Sequence, residues 1–434
     1  MLKRGLVVVV VVVMSCFMLS ALAHAEVVLK FWDMVWGPEP YNDTARSIVE
    51  EFNRTHPDIK VEYEIIPWQG FYERFVTAVT AGEAPDISTG STAMPVQMAA
   101  MGAALPIDDL LEELKKSGEY EDFIEGTWER YFYEGHYYGW PWQIDPRVIY
   151  YRSDMLEEVG TQPPTNWDEL IQVGQKLAKP EEDVWGFAFS AIPGQYDPPQ
   201  YFLSFLFQNG GSVLDENGNL VFNSKATRET LQFIYDLVYK YKIMSPKVTS
   251  LLGDDIAKLF ARRKVGIFYT TDNSWTIMQR EVPESLQFTK VGEIFTGPAG
   301  IRKTNGYINA VQLYNQTRHP EEAKLFLKWW MKPENQIILF RTGTCHFPPR
   351  KSMLNDPEFI KNFGFADIAQ KALPYVAGME WPYPSISLEM VRIEGELILS
   401  RCLGWVLTGE KTVEEAVMDA TKEMERIFQE AGKM

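Results

Sequence analysis

Hydrophobic and polar positions change period repeatedly along the first part of the chain. Val27 to Trp32 is a short apolar run, predicting a strand. Ala45, Ile48, Val49 and Phe52 then recur at i, i+3, i+4 and i+7, predicting a helix with one apolar stripe, capped by Asp43 or Thr44 and stopped by Thr55-His56-Pro57-Asp58. Ile59, Val61, Tyr63 and Ile65 alternate with Lys60, Glu62 and Glu64, the pattern of a half-buried strand. Helical spacing returns through Phe71, Phe75, Ala78 and Val79, and Gly82 ends it. Ala84-Pro85-Asp86-Ile87 leads into another short strand. Such alternation predicts a parallel sheet with right-handed crossovers.

The middle and end of the chain are mixed in the same way. Val148 to Tyr151 and Val265 to Tyr269 read as strands. Helices are predicted over 167–178, 224–241, 251–262, 319–331 and 412–428, the first preceded by the breaker Pro163-Pro164-Thr165-Asn166. Asn217-Gly218 between two apolar stretches, 212–214 and 220–222, predicts a hairpin. No repeat, low-complexity tract or Pro/Gly linker divides the chain. Its 434 residues hold two or three domains' worth of core. Two lobes without one clean linker imply a chain that crosses between them more than once.

The first 25 residues stand apart. Lys3 and Arg4 precede a nearly continuous apolar stretch with seven consecutive valines from Val7 to Val13, and Ala23-His24-Ala25 gives the small-x-small pattern of a signal peptidase site. The mature chain is expected to begin near Glu26 and to work outside the cytoplasm, in the periplasm or extracellularly. A lipid anchor at Cys16 is disfavoured, because the apolar run continues past it. Removing two positive charges takes the net charge from −17 to −19. So acidic a surface repels nucleic-acid phosphate and anionic membrane, and suits a soluble monomer. Cys345 and Cys402 remain, as a disulfide or as two buried thiols; spacing does not decide between them.

The usual catalytic patterns are missing. His56, His136, His319 and His346 show no metal-helix spacing, and there is no CxxC, so no metal site is expected. There is no G-x-S-x-G elbow and no G-x-G-x-x-G after the first strand, and no cofactor is expected. Gly297 to Thr304 misses a P-loop, with Arg302 at the second glycine, and reads as a loop. Paired carboxylates for glycoside chemistry need a spacing in three dimensions that sequence does not give.

Aromatic residues in loops are the positive signal. Of thirteen tryptophans, Trp36, Trp68, Trp140, Trp142, Trp275 and Trp381 fall where periodic patterns break, beside polar residues. Flat rings cover the C–H face of a sugar, and Asp, Asn, Gln and Glu pair with its hydroxyls. Trp142-Gln143-x-Asp145 places a ring, an amide and a carboxylate within four residues. Any single tryptophan is as easily a cap on a core edge. Trp329 and Trp330, inside a helical pattern, read as core.

The order of several stretches resembles the family 1 extracellular solute-binding proteins, the sugar receptors of ABC importers that include the maltose- and trehalose-binding proteins. These are Ile48 to Phe52 with His56 to Val61, Ala84 to Ile87, Tyr137 to Pro141 with Ile149 to Asp154, Pro163 to Leu170, Lys264 to Phe268 with Trp275, and Asn305 to Tyr307. The resemblance implies two α/β lobes of the type II periplasmic-binding-protein kind, joined by about three crossing segments with a ligand cleft between them. The implied division is 26–144 and 300–343 for one lobe, 145–299 and 344–434 for the other. Position by position, the cleft would receive Trp36, Glu39, Trp68, Gln69, Ser91, Trp142, Gln143, Asp145, Gln195, Tyr196, Asn273, Trp275, Gly306, Tyr307 and Trp381. Thr270-Thr271-Asp272 and Ser91 depart from common family choices and leave the sugar open. The implied function is capture of a sugar, a di- or oligosaccharide, and delivery to ABC importer transmembrane subunits, without catalysis. Alternatives are the same fold binding a peptide, polyamine or glycerol phosphate, and an exported carbohydrate-active enzyme.

Overall fold

A computed structural model describes residues 27–37, 39–342, 346–361 and 365–433. Residues 1–25, Cys16 among them, and Cys345 lie outside the described residues, so the expected export segment and the Cys345–Cys402 pairing do too. Cys402 is buried, with its thiol donating to the Ala416 carbonyl, and burial pushes its pKa up to about 12.

Seven strands form the main path of one mixed sheet: β1 (Val27–Met34), β2 (Ile59–Ile66), β3 (Ile87–Gly90), β4 (Trp140–Arg152), β5 (Trp185–Ala188), β6 (Val265–Thr271) and β7 (Thr304–Tyr314). Their spatial order is β2-β1-β3-β7-β4-β6-β5. Pairing is parallel at both ends, as the strand–helix alternation predicts, but β7 runs antiparallel to both β3 and β4, and β4 is antiparallel to β6. The two halves of the sheet therefore meet at the β7–β4 ribbon. Phe347 bridges to Ile144 and lays a third segment beside that ribbon.

The helices cover the sheet as their apolar stripes require. Ala45, Ile48, Val49 and Phe52 are all buried on the helix Glu39–Thr55. That helix starts before the expected caps; Pro40 fits its first turn, and the Thr44 hydroxyl donates back to Pro40 O. Phe71–Ala81 ends at left-handed Gly82, as expected. Asn166, Ser224 and Thr412 each cap a predicted helix, the last with a full capping box through Glu415. The predicted hairpin at Asn217-Gly218 shrinks to one bridge, Leu214–Leu220. There the Asp215 carboxylate takes the Asn217 and Asn219 N–H groups and holds the loop as an Asx turn.

Each half has its own aromatic core. Phe31, Phe52, Phe326 and Trp330 meet edge to face in the first. Phe187, Phe189, Tyr201, Phe205, Tyr269 and Phe295 meet in the second. Trp330 is fully buried, while Trp329 is half-buried and donates to Ile48 O. Among the described residues, no helix is long and apolar enough to cross a membrane.

One close approach fixes how the helix Trp167–Leu177 lies on β5: a Cβ on Gly186 would run into the Gly174 backbone. Gly186→Ala should therefore cost about 2–4 kcal/mol of unfolding free energy in urea titration. A loss below about 0.5 kcal/mol would show that this contact yields easily.

Candidate functional site

The ribbon sorts its side chains by strand alternation. Asp145 pairs with Tyr307 and Gln143 with Asn309; between and beside them Ile144 pairs with Ile308 and Pro146 with Gly306. One face is thus polar and the other apolar. The register shifts at Asn309/Ala310, leaving Trp142 as the extra residue of a bulge. Gln143 is fully buried, and neither atom of its amide has a hydrogen-bond partner among the described residues.

The polar face carries an ion cluster. Arg147 grips both Asp145 oxygens, at 2.5 and 2.9 Å, donates from Nε to Gln200, and lies 5.3 Å from the Tyr307 ring centre. His346 Nδ1 sits 3.4 Å from Asp145 Oδ1 and 3.2 Å from Asp272 Oδ1. Burial pushes the Asp145 carboxyl up, but the charges of Arg147 and His346 outweigh it and hold it below the ordinary range. Burial raises Asp272 to about 6 even against His346. Burial alone would lower His346; the two carboxylates lift it to about 8. Tyr307 donates to Glu394 Oε1 at 3.0 Å, and burial holds Glu394 at about 7.

Asp145, Asp272 and His346 bring potential metal-ligand atoms within 4.8 Å of one another. Both Asp145 oxygens are already held by Arg147, and His346 Nδ1 lies between the two acids. The arrangement is a hydrogen-bonded charge cluster, neutral overall when His346 is protonated and both acids are ionised.

Walls rise from both halves. From the first, Trp36 stacks edge-on against Trp68 (5.0 Å) and faces His346 (6.3 Å). Trp36 Nε1 donates to Asp33 and Thr89, and Asp33 also accepts from Tyr41, Tyr63 and Thr89. Burial lifts Asp33 to about 6 despite these donors. Trp68 donates to Val35 O and leaves a substantial part of its ring exposed; Gln69 beside it is exposed. From the second half come exposed Tyr196 and Gln195, exposed Asn273 and half-buried Trp275. Burial raises the Tyr196 phenol, and the charges of Glu394 and Glu73 add to it. Ser91 follows β3, half-buried.

Five expectations need correction. Trp36 is buried, with its Nε1 given to Asp33 and Thr89, so its ring offers little face to a solute. Trp142 is fully buried against Trp330 and Phe340, because the bulge turns it into the core, so its ring offers no face to a solute. Gly306 lies on the apolar side of the ribbon, where a Cβ would press on Val376 and the Asp145 carbonyl. Trp381 also lies on that side, beside Phe207. Glu39 is exposed at a helix start, with its carboxylate held by Asn42 and Arg46 and lowered by them. Arg147, Asp272, His346 and Glu394 were not singled out as site residues. The i, i+2 spacing of Asp145 and Arg147 on a strand is the one local signal available; His346 and Glu394 arrive by tertiary folding.

The description "Bacterial extracellular solute-binding protein" fits residues 38–337 of this chain. A Brucella abortus binding protein is 26% identical over 289 residues, 65% of this chain and 68% of its own. An arabinooligosaccharide-binding protein of Halalkalibacterium halodurans is 24% identical over 342 residues, covering 74% and 72%. The crystal structure of a sugar transporter from Arthrobacter chlorophenolicus A6 with bound laminaribiose superposes with a TM-score of 0.81 at 25% identity, over 92% of this chain and 99% of that one. Maltose-bound T. maritima MalE3 gives 0.78 at 23% identity, over 92% and 100%, a likeness of fold. The two-lobed fold is shared with these proteins.

The cluster makes stability depend on pH with a definite sign. Folding favours protonated His346, so its contribution is whole below its ordinary value of 6.5 and is lost as pH rises through about 8. Asp272 and Glu394, raised from 3.8 to about 6 and from 4.5 to about 7, give a fall of the same sign at lower pH, spent by about 6 and about 7 respectively. Unfolding free energy should fall between pH 6.5 and 8, and His346→Gln should remove roughly 1–2 kcal/mol of that fall. Equal slopes in parent and variant urea titrations would show that His346 carries no such charge.

Proposed function

We propose that this chain, which belongs to the bacterial extracellular solute-binding proteins, holds a neutral di- or oligosaccharide between its two lobes and delivers it to the transmembrane subunits of an ABC importer. The observation that carries the reading is Gln143, a buried amide on the β7–β4 ribbon where the two halves of the sheet meet, which has no hydrogen-bond partner among the described residues. A buried polar group left unpaired costs about 1–3 kcal/mol, and a sugar hydroxyl supplies both the donor and the acceptor that an amide needs. Trp68 and Tyr196 offer partly exposed rings for the C–H faces. Gln69, Ser91, Asp145, Gln195, Asn273, Trp275 and Tyr307 complete the contact set we propose. Relatives named for arabinooligosaccharides and a structural neighbour holding laminaribiose agree with this class of solute.

Charge argues against a phosphate or other anion. Arg147, the guanidinium on the floor, is engaged by Asp145 and Gln200, and Asp272 and Glu394 lie nearby. Capture without turnover is our reading, since Asp145 and Asp272 are each tied to a cation rather than free to act as a nucleophile or base. We take the first 25 residues as a signal peptide, and the lobes as 26–144 with 300–343 and 145–299 with 344–434. Closure of the lobes on solute then depends on its tighter binding to the closed form.

Titration calorimetry of the mature chain with laminaribiose, maltose, maltotriose and arabino-oligosaccharides should give a saturable one-to-one heat with at least one of them; silence from all would end the sugar reading. With that sugar, Gln143→Leu should weaken binding by about 10- to 100-fold while leaving the unfolding midpoint in place. Trp142→Ala should act on the fold instead, costing about 3–5 kcal/mol of stability. An unchanged affinity in Gln143→Leu would remove that amide from the contact set.

A further inference from the structure

Two ion pairs join the halves of the molecule outside the sheet, one on each face of the β7–β4 ribbon. On the polar face, His346 is fastened to the ribbon and the first half. Its neighbour Phe347 exchanges both backbone hydrogen bonds with Ile144, at 2.7 and 2.8 Å, and Pro349 O accepts from the Ile124 N–H. Arg350 reaches Glu119, and Ser352 reaches Asp122. The Trp36 ring lies 6.3 Å from the imidazole. Residues 346–352 therefore move with the first half, and the lobe boundary at 344 shifts past Ser352. Asp272, 3.2 Å from His346 Nδ1, directly follows β6 and belongs to the second half. The His346–Asp272 contact thus spans the halves, with side chains 14% and 0% exposed.

On the apolar face the tie is Arg130–Glu380, at 2.9 Å and largely buried. Arg130 precedes β4 in the first half. Glu380 follows Val376–Ala377, which pairs with Thr304–Asn305 at the start of β7, and adjoins Trp381, whose ring packs on Phe207 of the second half. Gly378 allows the fit, because a Cβ there would run into the Arg130 guanidinium. A cavity of about 520 Å³ lies behind this face, over Ile144, Gly306 and Ile308 and beside Trp381. It leaves the halves room to approach here when they part on the other face.

The groups facing His346 decide what can be released. Asp145 and Arg147 face it from β4, Asp272 from the loop after β6, and the uncharged Trp36 ring from the first half. Arg147 grips Asp145 whatever the state of His346. Asp272 pairs with no other cation among the described residues, and its Oδ2 is buried without a partner. Loss of the His346 proton therefore leaves Asp272 a buried carboxylate without a counter-ion, a state relieved by moving to water. Burial opposes the charge on His346, but the two carboxylates outweigh it and put this loss at about pH 8. We propose that His346 is a proton-operated clasp between the two halves: charged, it holds Asp272 and draws them together on the polar face; neutral, it lets them part there, pivoting on Arg130–Glu380. This rests on the reading of the halves as lobes that move about the ribbon.

Small-angle X-ray scattering on the solute-free mature chain tests the clasp. The radius of gyration should rise as pH goes from about 7 to about 9. His346→Gln, which keeps a hydrogen-bonding side chain but cannot take the charge, and Asp272→Asn should both show the larger radius already at the lower pH, with no step. Thermal melts confirm that each variant is folded. A flat parent profile, or a step unchanged in both folded variants, overturns the clasp. A step lost in His346→Gln but kept in Asp272→Asn assigns the effect to Asp145 and equally overturns it. For the sugar that calorimetry identifies, affinity should fall about 3- to 10-fold over the same range in the parent and stay level in His346→Gln. A level affinity in the parent overturns the link from clasp to solute. The scattering needs no solute, so failure of the sugar reading leaves that test intact.

Discussion

Neighbouring residues of a β-strand must point to opposite faces, and the rest of this molecule is arranged around that constraint. The β7–β4 ribbon belongs to both halves of the sheet, so whatever it displays is displayed at their junction. Its odd-numbered positions give amide, carboxylate, guanidinium and phenol to one side; its even-numbered positions give isoleucines and a glycine to the other. A one-residue slip would exchange the two sets and bury the charges behind the ribbon. The bulge at Trp142 anchors the register, because its indole is locked between Trp330 and Phe340.

The charges on the polar side are arranged so that few of them act at a distance. Arg147 is matched by Asp145, and His346 stands between two carboxylates. Each ion is partnered at hydrogen-bond range, which is the condition under which buried charge is tolerated. Among the described residues, the Gln143 amide and Asp272 Oδ2 are buried there without a hydrogen-bond partner. A floor that is polar but locally charge-balanced favours solutes recognised by hydrogen bonds over those recognised by net charge.

Much of the fold was legible because periodicity reports burial directly. Phe71–Ala81 and the capped helices after Asn166, Ser224 and Thr412 follow from apolar spacing and punctuation. The cleft was harder to read, because a tryptophan at the end of a periodic segment looks the same from sequence whether it faces solute, core or the back of a hinge. Trp68 keeps an exposed face, Trp142 is core, and Trp381 lines the rear cavity. What separates them is a bulge and the return of the chain late in its course, both set by tertiary packing. The same holds for His346, whose partners are 201 and 74 positions away along the chain, taking 346 − 145 and 346 − 272.

The sheet order carries a consequence for how such a chain is made. β7, at residues 304–314, lies between β3, at 87–90, and β4, at 140–152. Until nearly three-quarters of the polypeptide has been synthesised, the inner edges of both flanking strands have no mate. Long-range closure of this kind is slow, and open edges invite foreign pairing. Vectorial emergence from a ribosome therefore cannot complete this sheet until residues 304–314 have been made.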